Sequence, residues 1–126
     1  MVSGAVVILG FSTGCAFDLV QVKQLPVAFA QPAGAHRLFV LNESAEVHIG
    51  TGFPVRLRAN TTWTEMGATQ YGDVYSTKDQ VLTVEASNIH EAALVVRDGQ
   101  VAGFYLLIEK KFCPATKPTK LVVSSK

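Results

Sequence analysis

The sequence predicts an all-β domain, a small antiparallel barrel or sandwich of about seven to nine short strands. Three observations carry this. Short apolar or alternating runs recur with a turn signal about every 8–12 residues. Asp98-Gly99 stands between the apolar runs Glu91–Val96 and Val101–Ile108. The hairpin those runs form is apolar on both faces, which belongs in the middle of a barrel or sandwich. With 48% hydrophobic residues the chain can fill one core, and at 126 residues it is one domain with terminal extensions.

The elements follow in order. Phe17–Lys23 alternates weakly and reads as a first strand, and Leu25–Gly34, with Pro26 and Pro32, reads as an extended edge followed by a loop. His36–Leu41 is a strand, Asn42-Glu43-Ser44 a turn, and Ala45–Ile49 a strand expected to form a hairpin with the one before it. Gly50–Pro54 is a loop; its Gly-x-Gly lacks the following helix and lysine of a phosphate-binding loop. Val55-Arg56-Leu57-Arg58 alternates, with both arginines on the outer face. Trp63–Met66 and Tyr71–Ser76 are short strands expected to join around Gly67. Asn88–Glu91 has capping-box spacing, yet Leu94-Val95-Val96 runs straight into Asp-Gly, which favours a strand from Glu91.

The Asp-Gly hairpin is the organising element, because both central residues of a type I′ turn need φ > 0. Continuous pairing from that turn sets Val96 against Val101, Leu94 against Gly103 and Ala92 against Tyr105 on one face. On the other it sets Val95 against Ala102 and Ala93 against Phe104. A hairpin apolar on both faces belongs inside the fold. The chain divides into a leader-like segment over 1–15, a β domain over 16–112 and a Pro/Lys-rich tail over 113–126 in which Leu121-Val122-Val123 can add an edge strand.

Eleven basic and ten acidic residues give a net charge of +1, and no Lys/Arg cluster is interleaved with aromatics, so nucleic acid is not an expected partner. No catalytic motif is present: the serines lack a Gly-x-Ser-x-Gly elbow and Cys113 has no histidine near it in sequence. His36, His48 and His90 have no metal-ligand spacing, and neither a metal nor a cofactor is expected; a small metal-assisted enzyme would need these histidines to converge. Phe53, Trp63 and Tyr71 are the candidate ligand or partner contacts, with Trp63, between two threonines, expected to be partly exposed.

The N-terminus carries the most specific signal. Ala5–Phe11 is an apolar run of signal-peptide length, too short to span a bilayer, and Ser12-Thr13-Gly14 leads into Cys15. Small residues before a cysteine resemble the lipobox of bacterial lipoproteins. Ser12 stands where that family prefers Leu, Val or Ile, and no Lys or Arg precedes Lys23. The resemblance implies cleavage before Cys15, a lipid on its sulfur, a membrane as partner through that lipid, and other envelope proteins as possible partners. It also implies an outer-membrane location facing the periplasm, since Ala16 rather than Asp follows the cysteine. Other readings stand beside it: Gly14-x-Ala16 suits ordinary secretion with cleavage after Ala16, a soluble secreted ligand-binding domain that keeps Cys15 would hold a Cys15–Cys113 disulfide, and Val6–Phe11 suits a buried first strand.

Overall fold

A computed structural model describes residues 22–32, 34, 36–50 and 53–125; the leader-like segment, Cys15 and most of the strand expected at Phe17–Lys23 lie outside them. Every strand pairing is antiparallel and the described residues contain no helix. Among the described residues twelve strands form: β1 (Leu25–Pro26), β2 (Phe29–Ala30), β3 (Leu38–Leu41), β4 (Ala45–Val47), β5 (Val55–Leu57), β6 (Thr61–Thr69), β7 (Gly72–Ser76), β8 (Thr83–Glu85), β9 (Ile89–Arg97), β10 (Gln100–Leu106), β11 (Lys111–Lys120) and β12 (Val123–Ser125). The main sheet runs β1-β11-β10-β9-β7-β6-β3-β12, with β2 on β6 and β8 on β9, while β4 and β5 form a second, two-stranded sheet. The arrangement is sandwich-like and is not closed into a barrel. The strand number exceeds the expected seven to nine because several pairings last only two or three residues and because the C-terminal segment is also paired.

Asp98 (φ 53°) and Gly99 (φ 76°) form the left-handed turn expected of them, with Arg97 opposite Gln100 and Val96 opposite Val101. Beyond that pair the continuous register does not hold. A bulge at Ala102 places Gly103 opposite Val95, Phe104 opposite Leu94, Tyr105 opposite Ala93 and Leu106 opposite Ala92. The extra residue changes the parity of the strand. Val101 on one side of the bulge and Phe104 and Leu106 on the other therefore share one core, while Tyr105 turns to the opposite face. Gly103 sits where β11 comes closest: a Cβ there would lie 2.3 Å from the carbonyl oxygen of Cys113. No side chain fits in that gap.

The sheet is apolar on both faces, so it has two cores. Trp63, Leu94, Phe104, Leu106 and Cys113 on one face pack with Val47, Val55 and Leu57, so β4 and β5 cover that face. Val74, Ala93, Val95, Tyr105 and Phe112 form the second core, covered by Leu25, Val27 and Phe29. Residues 25–30 act as a strap: Leu25 pairs with Phe112 on β11, Phe29 pairs with Thr69 on β6, and the Phe29 ring stacks on Tyr105 with centroids 5.0 Å apart.

Three local expectations are corrected. β4 pairs with β5 and not with β3, because the Asn42–Ser44 turn carries the chain from the main sheet to the small one; Asn42 N–H bonds Val122 O on the way. Gly67 is not a turn but lies inside β6, beside a bulge at Met66, and the reversal comes at Gln70-Tyr71. The segment read as a tail from residue 113 supplies most of β11, and the edge strand expected near Leu121-Val122-Val123 forms as β12, shifted to Val123–Ser125. Its prolines leave a different trace: the β10 register jumps from Val101–Thr119 to Gly103–Pro114, so residues 115–118 loop out and Thr116 N–H reaches His48 O. A proline has no N–H for the ladder, which suits Pro114 and Pro118 to such a break.

Gly103→Ala should lower stability by about 2–3 kcal/mol, the order seen for forced overpacking. Urea unfolding followed by circular dichroism checks this, with Gly34→Ala, whose Cβ meets nothing within 4 Å, as the unchanged control.

Candidate functional site

One end of the molecule is built from the β7–β8 loop, the turn before β9, the β10–β11 turn and the entry to β5. The β7–β8 loop is fastened to its neighbours. Asp79 Oδ2 accepts from Thr62 N–H at 2.7 Å, Gln80 Oε1 accepts from Arg58 N–H at 2.7 Å, and Gln80 Nε2 donates to Arg56 O at 3.0 Å. The Arg58 guanidinium donates to Asp79 O. These bonds fix a groove of about 590 Å³ lined by Arg56, Arg58, Lys78, Asp79, Gln80 and Val81. A second groove, of about 240 Å³, shares Arg56 and Val81 with it and adds Phe53 and Pro54 on the apolar side and Glu85 on the polar side. The arrangement puts three cations beside protruding apolar groups.

A second polar cluster lies across β3, β6 and β7. Glu65 is buried, and its carboxylate accepts from Arg37 Nη2 at 2.7 Å, Arg37 Nε at 3.2 Å and Arg37 N–H at 3.2 Å. Arg37 Nη2 also donates to Asp73 Oδ2 at 2.8 Å. The Arg37 hydrogen bond holds the Glu65 carboxyl below the usual carboxylate range, against the opposing effect of its burial. His36 Nδ1 lies 2.7 Å from Glu65 O, and since a carbonyl only accepts, that nitrogen carries the hydrogen. Desolvation raises the Tyr75 phenol. This is a structural clamp: a buried carboxylate is tolerable only when its oxygens are matched.

The third cluster joins β9 to the β10–β11 turn. His90 Nδ1 lies 2.6 Å from Glu109 Oε2, and this bond lowers the Glu109 carboxyl. Glu109 Oε1 is buried with no hydrogen-bond partner. The pair pins a tight turn in which Lys110 has φ 57°.

The residues singled out from the sequence do not converge. Trp63 is the clearest correction: it is fully buried (0% exposed) in the first core, and its Nε1 donates to Thr61 Oγ1 at 2.8 Å. Two threonine neighbours mark outward positions of a strand, and their alternation with Trp63 points the indole inward. Tyr71 packs against the second core, stacked on Phe112 with centroids 4.0 Å apart. Phe53 is exposed and belongs to the groove beside Val81. His36 precedes β3, His48 follows β4 and His90 is on β9; among the described residues no group of three or more His, Cys, Asp or Glu is gathered as metal ligands.

Cys113 is a free thiol, fully buried in the first core, and burial pushes its pKa up to about 11. Sequence reading placed Arg56 and Arg58 on an outer face but missed their meeting with Lys78, which depends on a loop contact more than twenty residues away in sequence. The Arg37–Glu65–Asp73 clamp was also missed; its only local signal is a glutamate at an inward position of β6. No family model, curated protein or solved structure matches the chain.

Two outcomes follow. Arg37→Ala should cost about 1–2 kcal/mol at pH 7, discounted because its side chain is 60% exposed. Glu65 has a lowered folded pKa, so its contribution is full above the unfolded value near ~4.3 and is lost as pH falls through the folded value. The gap between wild type and Arg37→Ala should therefore close on acidification below about pH 4 in urea titrations. In a Cys15→Ser chain, Cys113 should resist a thiol reagent at pH 8 when folded and react stoichiometrically in urea, as absorbance with a chromogenic disulfide would read.

Proposed function

We propose that the chain is a small bacterial envelope lipoprotein, held at a membrane by a lipid on Cys15 and carrying an all-β domain that binds or scaffolds. The observation that carries this is the apolar run Ala5–Phe11 followed by Ser12-Thr13-Gly14-Cys15. A free, fully buried Cys113 supports it, since a domain whose own thiol sits in the core leaves Cys15 available for modification. The outer membrane, facing the periplasm, is the proposed address, because Ala16 follows the cysteine.

The polar chemistry supports a binding role over a catalytic one. Among the described residues no serine, threonine or cysteine is hydrogen-bonded to a histidine ring, which is the pairing that activates such nucleophiles. The ionic groups are instead spent on clamps between strands, and the open surface at the β7–β8 loop offers cations and apolar groups for contact.

Intact mass spectrometry of the protein extracted with detergent from its native host should give a mass beginning at Cys15 plus a lipid. Cys15→Ser should remove that lipid. A chain beginning after Ala16, without Cys15 and without lipid, would replace this reading with plain secretion, and an unlipidated chain that keeps Cys15 bonded to Cys113 would replace it with a disulfide-bonded domain.

A further inference from the structure

Apolar side chains on the surface are not spread evenly. Among the described residues eight large hydrophobic residues are exposed: Leu38, Phe53, Val81, Ile89, Leu107, Ile108, Val122 and Val123. Five of these belong to one end of the sandwich. Leu107 and Ile108 form the β10–β11 turn, and Ile89 begins β9 beside it, where the His90–Glu109 bond ties the two together. Val81 shares one surface hollow with Leu107 and another with Phe53, so the series is continuous from Phe53 to the β10–β11 turn. Val81 is 85% exposed, Ile108 73% and Ile89 69%. The hydrophobic effect disfavours such a cluster in water, and a set of this kind marks a contact surface. Near the opposite end, where Leu121 N–H bonds Gly99 O in the Asp98-Gly99 turn, only Val122 and Val123 of the eight follow, at 42% and 45% exposed.

We propose that this end is the face the domain lays on a lipid bilayer, with Val81, Ile108 and Ile89 entering the boundary between headgroups and acyl chains. The inference rests on the lipoprotein reading and specifies how the anchored domain is oriented. Two further observations point to a bilayer as occupant. The apolar series is flanked by Arg56, Arg58 and Lys78 in the groove and by Lys110 and Lys111 after the turn, the arrangement that places cations at anionic headgroups. Acidic groups are also present at this end. Glu109 is bonded to His90, Asp79 Oδ2 is bonded to Thr62 N–H, and Glu85 and Glu91 lie on the β8–β9 ladder.

Tether length is the second observation. β1 runs antiparallel to β11, with Leu25 opposite Phe112 and Pro26 opposite Lys111, so continuing that register puts Val22 near Ala115. That is four strand residues, or ~13 Å, from the end of β11 beside the apolar turn. Cys15 precedes Val22 by seven residues, a reach of at most ~25 Å. A lipid on Cys15 therefore allows the apolar end to meet the same bilayer.

The test uses the full chain with Cys15→Ser, so that its result is independent of lipidation. Three variants are made singly: Ile108→Cys, Val81→Cys and Gln100→Cys, the last at the opposite end. Each is labelled with an environment-sensitive fluorophore while buried Cys113 stays unreactive. They are then mixed with vesicles of phosphatidylcholine containing about one-third phosphatidylglycerol. Residues 1–22 hold no Lys or Arg, so a preference for the anionic vesicles over pure phosphatidylcholine comes from the domain.

The expected result is a blue shift with quenching by brominated lipid at 108 and 81, none at 100, and at least tenfold stronger binding to the anionic vesicles. Equal signals at both ends, a signal confined to 100, no binding, or no anionic preference would each overturn the proposal. Failure of the lipoprotein reading appears separately, in the mass of the native protein.

Discussion

A sheet that is apolar on both faces must be covered twice, and most of this architecture follows from that requirement. β9, β10 and β11 alternate large apolar groups to either side: Leu94, Phe104 and Cys113 point one way, Val95, Tyr105 and Phe112 the other. Neither set can be left in water, since each fully buried side chain of this size contributes on the order of 1.5–3 kcal/mol. The chain answers with two unlike covers. A separate two-stranded sheet closes the first core. A single extended strap closes the second, bonded at both of its ends to the main sheet.

Close approach between backbones sets the details. The bulge at Ala102 lets Val101 and Phe104 serve the same core, and it is possible because Gly103 leaves room for the Cys113 carbonyl. The same economy appears in β6, where the bulge at Met66 precedes Gly67; a Cβ at Gly67 would collide with the Phe29 ring and the Ala30 carbonyl of the strap. Both irregularities thus lie where another segment crosses closely.

What the sequence made legible was local. Strand periodicity, the Asp98-Gly99 turn and the outward arginines of β5 are all properties of neighbouring residues, and the all-β class follows from them. Register past residue 102 was not legible, because the bulge answers to β11, a segment distant in sequence, and not to the hairpin itself. The pairing of β4 with β5 escaped for a related reason: a three-residue turn can join strands within one sheet or carry the chain to another, and only the core decides. Trp63 was misplaced by reading polar neighbours as a polar environment, when in a strand they imply the reverse for the residue between them. The grooved surface at the β7–β8 loop assembles from Phe53, Arg56, Lys78 and Val81, and no motif spans such a set.

The strap has a mechanical meaning. It follows Val22, which is buried in the first core, so any pull transmitted from an attachment at the N-terminus reaches Val22 and then Leu25 and Pro26 before the rest of the sheet. Two residue pairs with β11, two with β6, the Ala28 N–H bond to Gln70 Oε1 and the Phe29–Tyr105 stack hold it, against the long ladders among β9, β10 and β11. Under tension the strap is the fuse. Once Val22 is drawn from the first core the strap can peel away and expose Tyr105 and Phe112, so a domain hung from its N-terminus yields in steps instead of all at once.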